Sequence, residues 1–374
     1  MPNITKIKYV CSSYSSGLKA NELQEKGFPV YGAAGIMGYN SAPQEAREYL
    51  GIVKDGAGVG RVKKYPADSS LLGTMAYIIP NQHVDIDWLK YVIESKKLGV
   101  SVDKATIPHI YFSDYGNSII DYPNYPDQIK MGSYLNKICS KIDEAISRNN
   151  QIVEKLEEYR KAVITQAVTK GLNPNVEMRE SGERWIGKVP NHWNLSKYKF
   201  SNRLRRTKAT DKTNYIGLEN IESFTGKKVG DNSVPEGDAM AFEKGDVLFG
   251  KLRPYLSKSL AVLEKGCCSG EILVLSPKLT TQRFLLYMTL SQDFVRRVDD
   301  STYGTKMPRA NWDFIGNLLS PIPPLKEQEA IVEYLDKKCT QIDMSIQKQK
   351  NIVAKLEEYK KSLIYNAVTG KIEV

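Results

Sequence analysis

Apolar residues recur at steps of four and three along residues 134–169: Leu135, Cys139, Ile142, Ile146, Val153, Leu156, Val163 and Ala167. The same stripe returns along 334–369 as Leu335, Cys339, Ile342, Ile346, Val353, Leu356, Leu363 and Ala367. This spacing keeps the stripe on one face of an α-helix, in the heptad pattern of helices that pack along their length. Neither stretch contains glycine or proline, and Gly171 and Gly370 stand where helix ends are expected. Each helix of about 34 residues is expected to span about 50 Å. Polar residues interrupt both seams at matching places, Asn149 with Gln349 and Arg160 with Lys360. Such interruptions set register and partner choice.

The two stretches are copies. They align without a gap at a constant offset of 200, with 19 of 36 positions identical. The register extends upstream: Pro108 meets Pro308, Gly116-Asn117 meets Gly316-Asn317, Pro123 meets Pro323 and Gln128 meets Gln328. Before that the match loosens, with Thr74–Pro80 lying on Glu271–Pro277. Each half is therefore a divergent globular part followed by a constant helix. The expected organisation is 1–133, 134–172, 173–325 and 326–374, alternating globular part and helix. A helix with a long apolar seam has to bury it. Two helices with matching breaks do so most economically on each other, and periodicity alone leaves parallel and antiparallel pairing open.

The globular parts read as mixed α/β with short strands. Val247-Leu248-Phe249, Ile272–Leu275, Ala76–Ile79 and Phe28–Tyr31 have strand character, and 86–97 and 283–298 read as helices. Two glycine-rich turns lie between, Gly32–Tyr39 and Gly56–Arg61. The second is neither a GxGxxG nor a GxxxxGK[ST] sequence, so it reads as a turn that lets backbone approach another surface.

Composition narrows the chemistry. No apolar run reaches the length of a membrane span, and the first residues lack a signal-peptide core, so a cytoplasmic location is expected. Five cysteines form no CxxC pair and there are three histidines, which argues against a disulfide framework or a Cys/His zinc site. HExxH, GxSxG and the Asn/Asp-Pro-Pro-aromatic tetrapeptide of DNA aminomethyltransferases are all missing. Catalytic residues and metal ligands are therefore not expected on this chain.

Charge points to a polyanion. The net charge is +10, and residues 173–325 hold 23 Lys and Arg against 17 Asp and Glu. Cations and aromatics gather on expected loops in both halves. The candidate DNA contacts are Tyr39, Arg61, Lys63, Lys64, Thr106 and His109 in the first half. In the second they are Arg205, Arg206, Lys251, Arg253, Tyr255, Tyr303, Lys306 and Arg309. Arg and Lys neutralise phosphates or meet guanine edges, and hydroxyls complete hydrogen bonds to DNA. Leu135, Ile142, Ile146, Val153, Leu156, Leu335, Ile342, Ile346, Val353 and Leu356 are the candidate partner/helix seam, on which the two helices are expected to meet, and the exposed remainder of the helices could receive partner proteins. On residues alone, a non-catalytic coiled-coil scaffold that binds other proteins explains the helices equally well. It does not explain two divergent basic domains on one repeat.

Particular motifs carry a family resemblance. Pro321-Ile322-Pro323-Pro324-Leu325-Lys326-Glu327-Gln328, Leu356-Glu357-Glu358-Tyr359 running to Ile372, and Trp185-Ile186-Gly187 with Pro190 and Trp193 resemble the specificity subunit of type I restriction–modification systems. Tyr31-Gly32 with Gly35–Tyr39 resembles one class of that family's recognition domains. The first half lacks the Trp-x-Gly lead-in, and Tyr122–Pro126 replaces its proline-rich run. The resemblance implies an α/β (α+β) chain. Two mixed α/β target recognition domains are joined by two long helices in an antiparallel coiled coil, with pseudo-twofold repetition. It implies that each domain reads one half of a bipartite double-stranded DNA target. The implied partners are two modification subunits that methylate adenine and restriction subunits that translocate and cut DNA, with no membrane. S-adenosylmethionine, ATP and Mg are then expected on those partners and no cofactor on this chain. The helices would act as a ruler. Adding one heptad within 134–169 is expected to lengthen the gap between half-sites, read as a changed spacing in the methylated motif; an unchanged gap sinks the ruler.

Overall fold

A computed structural model of the chain describes residues 3–56, 58–96, 98, 109–211, 213–231, 237–302 and 307–373. Two long helices dominate it, Tyr125–Lys170 and Leu325–Val368. The chain forms two compact units, one of residues 1–150 with 350–374 and one of 151–349. These units cut across the four consecutive sequence segments, because each takes one part of each long helix.

In the first unit an antiparallel sheet runs in the order Cys11–Ser15, Met75–Pro80, Tyr49–Val53, Val62–Tyr65. Every residue of the Tyr49–Val53 strand is buried, as expected of a central strand covered on both faces. A three-stranded sheet orders Gly35–Asn40, Phe28–Gly32 and Ser70–Leu71, the last pair parallel. Asn3–Lys6 pairs with Ile119–Tyr122. The helix Ile86–Glu94 starts where the Asp85 carboxylate accepts from the Trp88 N–H at 2.8 Å, and Trp88 is fully buried.

The second unit repeats this plan. Its four-stranded sheet orders Asn202–Arg205, Ile272–Pro277, Val247–Gly250 and Ser259–Ala261. Its three-stranded sheet joins Tyr215–Ile216, Gly266–Ser269 and Ala239–Phe242, again with one parallel pair. Asn194–Lys197 pairs with Leu319–Ile322. The stretch read as one helix over 283–298 is two, Gln282–Leu290 and Gln292–Asp299. Ser291 takes an extended conformation between them, so the apolar stripe turns a corner without glycine or proline. The Gly56–Arg61 turn makes the close approach expected of it: Gly60 has φ +83°, and a Cβ there would lie 2.4 Å from the Leu98 carbonyl oxygen.

The same joint ties each long helix to its domain. In the first unit the buried Gln128 Oε1 accepts from the Asp85 N–H at 2.9 Å, and its Nε2 donates to the Pro123 carbonyl at 2.9 Å. In the second, Gln328 Oε1 accepts from the Thr281 N–H at 2.8 Å. Its Nε2 donates to the carbonyls of Pro323 at 2.9 Å and Leu279 at 3.1 Å. Both the oxygen and the nitrogen of each buried amide are thus hydrogen-bonded, which is the condition for keeping it in a core.

Most of each seam is covered within its unit, with Ile146, Leu156, Val353 and Leu356 half-buried. Leu135, Cys139, Ile142 and Ile146 share the first core with Leu356, Leu363, Ile364, Ala367 and Val368. Leu335 and Cys339 share the second with Val163, Ile164, Ala167 and Val168, while Val153 and Leu156 pack with Ile342 and Ile346. As one helix of the second unit ascends from 153 to 168, its partner descends from 346 to 335, so the pairing is antiparallel. The charged interruptions, Arg160 and Lys360, make reciprocal ion pairs. Arg160 Nε meets Asp343 at 3.1 Å in the second unit, and Lys360 Nζ meets Asp143 at 2.7 Å in the first. Arg160 also donates to the carbonyls of Phe224 and Thr225, which fastens a turn of the domain to the helix pair.

The two pairs differ in burial. The Arg160 side chain is 7% exposed, whereas Lys360 is 27% and Asp143 57% exposed. Arg160→Ala removes a buried guanidinium from Asp343 and from two half-buried carbonyls and is expected to cost about 3 kcal/mol. Lys360→Ala is expected to cost about 0.2–1 kcal/mol. Chemical-denaturation midpoints of the two variants check this; equal losses would overturn it.

Candidate nucleic-acid interface

In the second unit the strand Val247–Gly250 runs out into a loop held from three sides. Lys251 N–H donates to the Glu271 carbonyl at 2.9 Å, Ala310 N–H to the Lys251 carbonyl at 2.8 Å, and Arg253 N–H to the Pro308 carbonyl at 2.8 Å. Leu252 and Arg309 form an antiparallel bridge. Arg253 sits in the left-handed region at φ 52°, and Ser257 follows at φ 45°. A non-glycine residue there costs about 1–3 kcal/mol and persists only when its surroundings over-determine it. Here the bridging backbone bonds and Pro254 at the first position of the next turn do so. The result gathers Lys251, Arg253, Tyr255 and Arg309 at one place. Arg253 is exposed, Tyr255 is 45% exposed, and Arg309 Nε lies 3.0 Å from the Glu271 carboxylate.

The first unit builds the same loop pair with different side chains. Lys54 N–H donates to the Thr74 carbonyl at 3.0 Å, and Ile110 N–H to the Lys54 carbonyl at 3.0 Å. Asp55 and His109 form the bridge. The His109 ring nitrogen hydrogen-bonds the Asp55 carboxylate, and its ring centroid lies 4.2 Å from that of Tyr111. Lys54 is thus the counterpart of Lys251, at the offset of 197 that already relates Thr74 to Glu271 in the sequence. Lys54 stands in no motif, and that offset is the one mark of it in the sequence.

The remaining candidates fall elsewhere. Lys63 and Lys64 lie on the strand Val62–Tyr65, not on a loop, because Val62 and Tyr65 are buried and the run pairs with Tyr49–Ile52. Lys64 is engaged by Glu48 at 3.0 Å and Asp87 at 3.6 Å. Arg61 is exposed in the turn before that strand, its Nε 3.4 Å from the Gly58 carbonyl. Tyr39 is half-buried in the strand Gly35–Asn40 and bridged to Gln24. Arg206 is exposed. Arg205 makes a two-pronged pair with Asp246, at 2.8 and 3.2 Å, and Asp246 is 1% exposed. That arginine is committed to the fold. Thr106, Tyr303 and Lys306 lie outside the described residues.

By strand register Arg205 corresponds to Tyr14, since Tyr14 faces Tyr77 as Arg205 faces Val274. Tyr14 stacks on Tyr77 at 4.7 Å and donates to Glu45 at 3.1 Å; burial, with Glu45 beside it, pushes its hydroxyl up to about 12. One fold position therefore holds an ion pair in one unit and a tyrosine stack in the other. The tryptophan lead-in has a role in the second unit only. Trp193 Nε1 donates to Glu327 at 2.9 Å and His192 Nε2 meets the same carboxylate at 2.7 Å, at the first turn of the second long helix.

Among the described residues, no group of three or more His, Cys, Asp or Glu is placed to hold a metal ion, and no helix is long and apolar enough to cross a membrane. All five cysteines are buried thiols outside any disulfide; burial pushes Cys11 and Cys268 up to about 12.

Residues 196–358 match the family model of the type I restriction modification DNA specificity domain. The type I restriction enzyme EcoDI specificity subunit of Escherichia coli is 22% identical over 346 residues, spanning 86% of this chain and 78% of its own. The MjaVIII specificity subunit of Methanocaldococcus jannaschii is 24% identical over 319 residues, spanning 79% of this chain and 72% of its own. The fold is shared, at a TM-score of 0.70 and 14% identity, with a solved structure titled for complex assembly and conformational transition of the type I R-M system. That match covers 99% of this chain and 98% of the other. The chain is thus similar along most of its length to type I restriction–modification specificity subunits, and its residues 196–358 match a DNA specificity domain, which supports a role in DNA sequence recognition.

Proposed function

We propose that each unit presents its bridged loop pair to one half of a bipartite DNA target, and that the chain itself supplies no catalysis. The observation that carries this reading is the loop pair itself. Backbone bonds at Lys54–Ile110 and Lys251–Ala310 repeat the same scaffold, while the side chains on it differ: Asp55 and His109 against Leu252 and Arg309. A constant frame with exchanged side chains is the chemistry of reading two different half-sites, so an asymmetric target is expected. Lys251 and Lys54 suit phosphate contacts, which position the protein, and Arg253 suits a base edge, which specifies.

The long helices are the surface on which two modification subunits would dock and on which half-site spacing would depend. S-adenosylmethionine, ATP and Mg would belong to modification and restriction subunits, and the assembly would work in the cytoplasm. Exposed Tyr159 and Tyr359, at the same repeat position on the two helices, suit a partner face.

The deciding experiment is co-expression with the modification subunit, followed by methylome sequencing. A two-part adenine-methylated motif that vanishes when this chain is deleted is the expected result. Methylation that persists without the chain overturns the reading. At residue level, Arg253→Ala is expected to weaken binding to the cognate duplex by about 1–3 kcal/mol and to relax the motif at one position. Arg205→Ala is expected to act on stability, because it strands the buried Asp246, at about 3–5 kcal/mol. Binding isotherms at fixed salt and thermal melts separate the two. Arg253→Ala leaving both affinity and motif intact would remove that residue from the interface.

A further inference from the structure

The first unit contains a cavity of about 300 Å³ beside its bridged loop pair. Its walls include Ser13, Tyr14, Lys54, Ala76, His109 and Tyr111. Two aromatic rings on these walls are open to solvent, Tyr111 at 65% and Tyr14 at 43% exposure. The walls are held in place. His109 is fixed by Asp55 and the backbone bridge, and Tyr14 by Glu45 and the stack on Tyr77. Strand register relates Ser13, Ile52 and Ala76 to Leu204, Phe249 and Leu273 of the second unit. There the larger side chains belong to or pack against the core. The cavity thus exists because small residues stand where the repeat carries bulk.

Aromatic faces, a serine hydroxyl and a lysine at one recess are the ingredients that hold an unstacked nucleobase. Rings stack on the base, a hydroxyl meets its edge, and the ammonium meets its phosphate. We propose that this cavity receives one base everted from the DNA half-site bound by the first unit, distinct from any adenine extruded for methylation. This rests on the reading of the chain as a DNA-recognition subunit. It assigns the two units different modes: shape and base eversion in the first, groove contact by Arg253 and Arg309 in the second.

The test uses the complex with its modification subunits and duplexes carrying fluorescent base analogues, 2-aminopurine or pyrrolo-cytosine, at each position of the target in turn. One position in the first unit's half-site, other than a methylated adenine, is expected to brighten several-fold on binding. Ala76→Leu, which installs the residue of the other repeat, is expected to abolish that signal and weaken binding about tenfold. Removing the base at that position, leaving an abasic site, is expected to restore binding by the variant to within about twofold. Ser13→Leu is the second filling variant should Ala76→Leu fail to fold. Binding of the bipartite target with no such brightened position, or unchanged brightening in a folded filling variant, overturns the proposal alone. Failure to bind any bipartite target overturns the recognition reading and the proposal with it. Tight binding of free nucleoside monophosphates, blocked by the filling variants and indifferent to DNA, would assign the cavity to a free nucleotide and overturn eversion.

Discussion

A helix of more than forty residues with an apolar seam has no stable existence alone in water, and the rest of this structure follows from how that seam is covered. Within each unit a stretch of one long helix packs against a stretch of the other, and the domain core closes over both. Leu135 and Ala367 belong to one core, and Leu335 and Ala167 to the other. Each fully buried aliphatic side chain contributes about 1.5–3 kcal/mol, so the helix pair is a principal source of stability. The ion pairs Arg160–Asp343 and Lys360–Asp143 restrict that pairing to one register, because slipping either helix by a turn would strand a charge.

Much of this was legible in the chain. Heptad spacing, the offset of 200 and the glycines after each helix announce the long helices and their duplication. Val247–Phe249, Ile272–Leu275 and Ala76–Ile79 announce buried strands by composition. What remained hidden depends on partners far along the chain. Arg205 looks like one more cation in a basic run until Asp246, 41 positions later, is found beneath it. Lys63 and Lys64 read as a loop because their polarity conceals that Val62 and Tyr65 alternate inward on a sheet. The break at Ser291 has no glycine or proline to signal it; a change of direction of the core decides it.

The two units carry different side chains on a constant backbone. Tyr14 and Arg205, Asp55 and Leu252, and His109 and Arg309 occupy matched places on the same sheet edges and bridges. None of these exchanges disturbs the ladder hydrogen bonds, which are made by the main chain. Stability rests on the sheet and the helix pair, and side chains on the loops are released from it.

The buried glutamines carry a consequence of their own. Gln128 and Gln328 join helix to domain, yet every partner of their amides is a main-chain N–H or carbonyl. A joint made only with backbone is blind to the identity of the residues it holds. At these two joints the domain can change its side chains and keep its hold on the helix, provided the strand and cap geometry is kept. The fold is in this sense a socket at two points, where the glutamine is indifferent to which side chains the domain carries.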